Sequence, residues 1–170
     1  MSDNLSIDSF AVGNVIKNGV STVIAGRPNA GKSTLVNALV GTKISIVTQK
    51  VQTTRARVRG IAMEEDAQLV FIDTPGIFAP RRRLDRAMVA AAWGGLEGAD
   101  ITVLMIDAPS YVAGETEKGA AGKARADADR IIEGLSKAGA KVVLALNKID
   151  EIARPKLLSL AQALDAAGVF

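Results

Sequence analysis

Short apolar runs alternate with amphipathic segments along most of the chain. The apolar runs have the length of buried strands and lie at 23–25, 57–63, 68–72, 101–106 and 141–146. Apolar residues at three- and four-residue spacing predict helices over 33–40, 84–96, 126–137 and 155–167. Strands that alternate with helices predict an α/β fold, in which a mostly parallel sheet is covered by helices on both faces.

Three segments lack this regular pattern. Residues 1–20 are polar and irregular, so we expect an N-terminal extension before a single domain that spans 21–170. The stretch Thr42–Arg57 is rich in polar residues and predicts a long loop. The stretch Ala113–Ala128 contains many Gly, Ala, Lys and Glu residues with weak periodicity, which predicts a mobile loop before the third helix.

The composition narrows the chemistry that the chain can perform. It has 170 residues, no cysteine and no histidine, which excludes disulfides, thiolate metal sites and histidine-assisted triads. A net charge of +3 permits an anionic partner without requiring one. The apolar runs are too short to cross a membrane, and the N-terminus lacks a signal-peptide pattern, so the expected location is the cytoplasm.

A phosphate-binding motif follows the first predicted strand. Residues 26–33 read Gly-Arg-Pro-Asn-Ala-Gly-Lys-Ser, the complete G-x-x-x-x-G-K-[ST] pattern, between a strand and a helix. Backbone N–H groups and the helix N-terminus would surround the phosphates, Lys32 would reach the β- and γ-phosphates, and Ser33 would bind Mg²⁺. The predicted nucleotide-binding residues here are Asn29, Ala30, Gly31, Lys32, Ser33 and Thr34.

Two segments further along the chain could complete a catalytic magnesium site. Asp73 follows a buried strand, where a P-loop enzyme holds its metal, and Gly76 can offer its N–H to the γ-phosphate. In the polar loop, a threonine hydroxyl can reach Mg²⁺ when the γ-phosphate is present. Thr53 and Thr54 are both candidates, and Thr54 is favoured. The predicted metal ligands are therefore Ser33, Thr54 and Asp73, and the predicted catalytic residues are Lys32, Thr54 and Gly76.

A third motif selects the base. Asn147-Lys148-Ile149-Asp150 follows a strand and matches the N-K-x-D signature of guanine specificity. A carboxylate at Asp150 can accept from both the N1–H and the exocyclic amine of guanine, whereas adenine offers no such pair of donors. The motif predicts GTP and GDP as ligands, with Asn147, Lys148 and Asp150 in the base site.

Arginine and lysine residues flank the two loops that would contact the γ-phosphate. They are Lys43, Lys50, Arg55, Arg57 and Arg59 around the first loop, and the cluster Arg81, Arg82, Arg83 and Arg86 after the second. Most such clusters are solvated faces, but this position also suits nucleotide-controlled binding of RNA. Aromatic residues do not interleave with the cluster, so the pattern does not indicate base stacking.

Taken together, the motifs resemble the Era family of bacterial GTPases. The resemblance covers about 21–150 and depends on residues 26–37, Lys43–Ile46, Lys50–Arg55 and 73–76. It implies a Ras-like fold, hydrolysis of GTP, association with 16S rRNA and a role in assembly of the 30S ribosomal subunit. It further implies a monomer with peripheral membrane association. Family members carry a C-terminal KH domain that reads RNA, which would lie beyond residue 170, as would a final strand with a guanine-contacting loop.

The resemblance also assigns particular roles. Lys148 would pack along the base, Asn147 would tie its loop to the P-loop, and Asn29 would help to coordinate K⁺ with backbone carbonyls of 50–54. Ile77 occupies the position where Ras-type enzymes carry a water-orienting glutamine, so we expect slow intrinsic turnover. Two alternatives stay open: a nucleotide-dependent RNA- or protein-binding module with little turnover, and a tRNA-modification GTPase with the same P-loop.

Overall fold

A sheet of five strands forms the centre of the described part of the chain. The computed structural model describes residues 18–45, 47, 54, 56–65, 67–140 and 142–170. The strands are β1 (Asn18–Gly26), β2 (Val58–Glu64), β3 (Ala67–Asp73), β4 (Ile101–Asp107) and β5 (Val142–Asn147). The helices are α1 (Lys32–Val40), α2 (Arg83–Gly94), α3 (Ala108–Ala113), α4 (Ala120–Ala138) and α5 (Arg154–Asp165), with a short 3₁₀ turn at Ile149–Glu151.

The strand order, β2-β3-β1-β4-β5, places the first parallel strand in the middle of the sheet. β1 pairs in parallel with β3 and β4, and β4 pairs in parallel with β5, whereas β2 is antiparallel to β3. The carboxyl ends of four strands therefore meet at one edge, which is where open α/β sheets bind their ligands. Gly26, Asp73, Asp107 and Asn147 end these four strands.

Helices cover both faces of the sheet, as the alternating pattern predicts. Leu104 and Ile106 of β4 belong to a buried cluster with α2, α4 and α5. Val103, which directly precedes Leu104, packs against a second cluster that contains Val36 of α1. Because neighbouring residues of a strand point to opposite faces, the two clusters lie on opposite sides of the sheet. The predicted fold class, a Ras-like P-loop domain with a mostly parallel sheet, is confirmed.

The first strand begins earlier than its apolar run indicates. Asn18, Gly19 and Val20 pair with Ala67, Gln68 and Leu69 of β3. The predicted extension over 1–20 therefore overlaps the sheet by three residues, while 1–17 lie outside the described residues. Pairing to β3 extends the strand through polar positions, and this long-range contact has no local signal in the sequence.

The predicted mobile loop at Ala113–Ala128 is wrong. α3 reaches Ala113, and α4 already begins at Ala120. Ala124 and Ala128 are buried on the same side of α4 as Ile131 and Leu135, because residues four apart share one face of a helix. The small side chains reflect close packing of this helix rather than mobility.

In the described residues, no helix is long and apolar enough to span a bilayer.

Candidate functional site

The loop between β1 and α1 has a backbone that requires glycine at its end. Gly31 has φ 103° and stands directly before the first residue of α1. This left-handed conformation is costly for a residue with a side chain, and a Cβ here would also collide with the Asn147 amide. Asn29, inside the loop, is likewise left-handed, with φ 62°. The loop thus turns sharply into a helix N-terminus, the arrangement that binds phosphate through backbone N–H groups.

Lys32 holds its charge inside this loop. Its side chain is buried, and its Nζ donates to the carbonyl oxygen of Arg27 at 2.8 Å. Burial lowers the pKa of Lys32 to about 8, although the negative charge of Asp73 opposes the shift. Phosphate oxygens would stabilise the charged form, since an ammonium in a dry site interacts strongly with an anion.

Three oxygens converge beside Lys32. Ser33 Oγ donates to Asp73 Oδ2 at 2.6 Å, and Thr54 Oγ1 donates to the same oxygen at 3.2 Å. The two hydroxyl oxygens are 3.1 Å apart. In octahedral Mg²⁺ sites with oxygens at about 2.1 Å, neighbouring ligands lie about 3 Å from one another. The spacing of the three predicted metal ligands therefore fits Mg²⁺.

Asp73 has a second feature that suits a cation. The residue is fully buried, and its Oδ1 has no hydrogen-bond partner among the described residues. A buried carboxylate oxygen without a partner is costly, and a nearby metal or its bound water would compensate it. The structure thus brings Thr54 to Asp73, while Thr53, the other candidate, lies outside the described residues.

Gly76 brings the segment after β3 against the phosphate loop. A Cβ at this position would lie 2.5 Å from the backbone nitrogen of Pro28, so only glycine fits. The next residue, Ile77, donates its backbone N–H to the Gly26 carbonyl at 3.0 Å and is itself buried in the core. Its side chain is therefore unable to orient water at the phosphates.

The residues predicted to bind guanine lie at the end of β5 and just after it, at the same edge of the sheet. Asn147 Nδ2 donates to the Ala30 carbonyl at 2.9 Å, which links this segment to the phosphate loop. Lys148 has a left-handed backbone, with φ 58°, and Asp150 lies exposed in the 3₁₀ turn that follows. Thr34 is exposed in the first turn of α1. Every predicted site residue named in the three motifs therefore lies at or beside one edge of the sheet.

Asp107 is a site residue that the sequence reasoning missed. Its Oδ1 accepts from the Ser110 N–H at 3.0 Å at the start of α3, and its Oδ2 accepts from Lys148 Nζ. Burial alone would raise the pKa of Asp107, but the hydrogen bonds from Lys148 and Ser110 outweigh it and lower the pKa. The sequence feature that could have identified Asp107 is its position at the end of a buried strand, which it shares with Asp73 and Asn147.

The fold and the site define a P-loop GTPase domain. The model of the family described as 50S ribosome-binding GTPase matches residues 21–148, and the chain belongs to this family. Within the family, its motifs and its relatives are those of Era, so the predicted resemblance is confirmed.

Three comparisons support the assignment. GTPase Era of Caulobacter vibrioides is 58% identical over 149 residues, which are 86% of this chain and 47% of that protein. A crystal structure of Era with MgGDPNP and nucleotides 1506–1542 of 16S ribosomal RNA has 36% identity and a TM-score of 0.73, over 86% of this chain and 46% of that one. NFeoB from S. thermophilus, bound to GDP.AlF4⁻ and K⁺, has 25% identity and a TM-score of 0.57, over 77% and 45%. The chain spans about half the length of the curated relatives that it matches.

The contacts of Asp107 give a prediction for acid stability. Because the folded pKa is below the unfolded one, the stabilisation is present above the ordinary pKa of an aspartate and disappears as the pH falls through the folded value. Asp107→Asn keeps an acceptor for Ser110 and loses the charge facing Lys148. We expect it to lower the free energy of unfolding by about 1 kcal/mol at pH 7, since Lys148 is partly exposed to solvent.

Urea unfolding of both proteins between pH 7 and pH 3 measures this effect. The difference between wild type and Asp107→Asn should shrink as the pH falls. Asp165→Asn, at the exposed end of α5, is the matched control and should leave stability nearly unchanged throughout. A difference that stays constant down to pH 3 would contradict the assignment of the stabilisation to the Asp107 charge.

Proposed function

We propose that this domain binds GTP and GDP and hydrolyses GTP to GDP and phosphate, as a switch in 16S rRNA processing and 30S subunit assembly. The observation that carries the proposal is the meeting of Ser33, Thr54 and Asp73 beside the buried ammonium of Lys32. A guanine-binding motif lies at the same edge of the sheet and is joined to the phosphate loop through Asn147.

Catalysis would depend on fixed charges and backbone groups. Lys32 and the N–H groups at the start of α1 would stabilise charge on the β- and γ-phosphates. Ser33, Thr54 and Asp73 would hold Mg²⁺, which neutralises phosphate charge when bound; the Era structure similar to this chain contains MgGDPNP. The Gly76 N–H would contact the γ-phosphate. Since Ile77 is buried in the core, no glutamine-like group orients water from this position, and intrinsic turnover would be slow.

Base selection would depend on Asp150. Its exposed carboxylate is free of the packed core and can accept two hydrogen bonds from guanine. Asn147 would keep the base loop at a fixed distance from the phosphate loop through its 2.9 Å bond to Ala30. Lys148, anchored by Asp107, would lie along the base.

Binding to 16S rRNA in the 30S subunit is the partner interaction that we propose, since an Era relative was solved with a segment of that RNA. A KH domain outside this chain would read the sequence, and Arg81, Arg82, Arg83 and Arg86 would add salt-sensitive contacts to phosphates. All four arginines are exposed near the start of α2. We further propose a monomer that acts in the cytoplasm and associates peripherally with the membrane.

One alternative is favoured by the position of Ile77. A domain without a water-orienting side chain can serve as a nucleotide-loaded binding module with little turnover. Phosphate release under single-turnover conditions separates the two functions: release within minutes to hours supports a GTPase, and none supports the binding module.

Removal of the buried ammonium tests the catalytic proposal. We expect Lys32→Ala to reduce GTP hydrolysis at least about a hundredfold and to weaken GTP binding more than GDP binding, because the ammonium is assigned to the β- and γ-phosphates. Lys137→Ala, on the exposed face of α4, is the control and should retain full activity. Hydrolysis by Lys32→Ala at the wild-type rate would refute the mechanism.

Substitution of Asp150 tests the base assignment. The wild-type protein should bind GDP and GTP far more tightly than ATP. Asp150→Asn should shift preference towards xanthine nucleotides, which present an acceptor where guanine has its amine. Titration with fluorescent guanine, xanthine and adenine nucleotides measures the change. Equal affinity of the wild type for ATP and GTP would exclude the proposed role of Asp150.

A potassium ion beside the phosphates is the last element that we propose. NFeoB, a structural relative, was solved with K⁺ and GDP.AlF4⁻, and Asn29 occupies the phosphate loop here. A monovalent cation there would neutralise charge that develops between the β- and γ-phosphates, as an arginine finger does elsewhere.

Hydrolysis should therefore be faster in potassium than in sodium at equal ionic strength. Asn29→Ala should remove this preference while GDP affinity stays nearly intact. The measurement is the single-turnover rate in both salts, and equal wild-type rates would leave Asn29 with only a role in the loop conformation.

A further inference from the structure

A carboxylate outside the three motifs contacts the segment that follows Gly76. Asp127 lies on α4, and its side chain is only 12% exposed. Its Oδ1 accepts from the backbone N–H of Ala79 at 3.0 Å and from Arg130 Nη1 at 2.9 Å. Its Oδ2 lies 3.5 Å from Nε of Arg27, in the phosphate loop. Asp127 therefore contacts both the segment after Gly76, through Ala79, and the phosphate loop, through Arg27.

The contact with Arg27 leads directly to the catalytic lysine. The Nε of Arg27 is buried and makes no hydrogen bond within the described residues, so the Asp127 charge compensates it. The carbonyl of Arg27 accepts from Lys32 Nζ at 2.8 Å. A shift of Arg27 would consequently change the place where the Lys32 ammonium is held.

The contact with Ala79 fixes the other side of the site. The Ile77 N–H donates a hydrogen bond to the Gly26 carbonyl at 3.0 Å, and the Ala79 N–H donates one to Asp127. These two hydrogen bonds hold the chain after Gly76 at two points. Pro80 follows Ala79 and favours an extended backbone at Ala79. Loss of the second point would leave the chain after Gly76 held by the Ile77 hydrogen bond and by packing of the Ile77 side chain in the core.

A role confined to α4 would require less than this. The pair of Asp127 with Arg130 is a spacing of three residues on one helix, and such pairs contribute only a few tenths of a kcal/mol. Such a pair could form on an exposed helix face, without burial of Asp127 and without its contacts to Ala79 and Arg27. These contacts are what connects α4 to the phosphate site.

We propose that Asp127 is a positioning residue for GTP hydrolysis, which sets the segment of Gly76 against the phosphate loop through Ala79 and Arg27. This inference rests on the proposed GTPase function. Because Asp127 makes no described contact with the guanine-binding segment 147–150, its loss should slow the chemical step while GDP binding is retained.

The test compares Asp127→Ala, Asp127→Asn and Arg130→Gln with the wild-type protein. Arg130→Gln removes the pair within α4 and leaves the contacts to Ala79 and Arg27 in place. Asp127→Asn keeps an acceptor for Ala79 but loses the charge facing Arg27, and it serves as the informative variant if the alanine protein does not fold. Single-turnover GTP hydrolysis, GDP affinity and amide exchange of Ala79 by NMR are measured for each.

We expect Asp127→Ala to lower the hydrolysis rate about tenfold, because small displacements of positioning groups have large effects on rate. GDP affinity should change by less than about twofold, which separates transition-state loss from uniform binding loss. The Ala79 amide should exchange at least about tenfold faster once its acceptor is gone. Asp127→Asn should be intermediate in rate, and Arg130→Gln should match the wild type.

Three outcomes would overturn the proposal, and they can be told apart. If the wild type hydrolyses GTP and the folded Asp127 variants do so equally fast, this inference fails and the GTPase function stands. If the wild type releases no phosphate, the GTPase function fails and the role of Asp127 in it fails too. A rate loss in Arg130→Gln equal to that in Asp127→Ala would likewise reduce Asp127 to a helix-stabilising residue.

Discussion

The parallel pairing of β1 with two neighbours is the constraint on which the site depends. Its register places Ile24 opposite Asp73 and Gly26 opposite Met105. The phosphate loop therefore starts two residues beyond the level of Asp73, and Ser33, at the start of α1, comes within hydrogen-bond distance of that carboxylate. A slip of one residue would turn Asp73 to the other face of the sheet and separate its carboxylate from the Ser33 and Thr54 hydroxyls.

The same edge carries charges of both signs, and two of them, on Lys32 and Asp73, are buried. Lys32 is buried near Asp73, and Lys148 pairs with Asp107 two strands away. A buried charge without partners is costly, so Lys32 donates to the Arg27 carbonyl and Asp73 accepts from the Ser33 and Thr54 hydroxyls. Burial leaves Lys32 with a lowered pKa despite the nearby charge of Asp73, and one oxygen of Asp73 has no hydrogen-bond partner among the described residues. Both properties favour a ligand that brings phosphate and a cation together.

Much of this site could be predicted from sequence because its chemistry follows short stretches of chain. The loop at 26–33, Asp73 and the segment 147–150 each combine a strand end with residues of fixed spacing, and the parallel sheet brings such ends together. Asp107 and Asp127 were missed, since their partners lie 41 and 48 residues away and are set by packing. The start of α4 was missed for a related reason: buried alanines resemble a flexible loop in composition and differ from it only in their spacing.

The position of Ile77 explains why distant residues can matter to the proposed chemistry. A glutamine at this place would orient water by its own side chain, and small errors in the backbone could be corrected by rotation of that side chain. Here the side chain is buried, so in the proposed mechanism the γ-phosphate would meet only the backbone of Gly76 and the charges of the loop. Backbone groups are unable to rotate independently of the chain that carries them. The accuracy of the site must therefore come from the contacts that hold this chain, and these extend from Gly26 to α4.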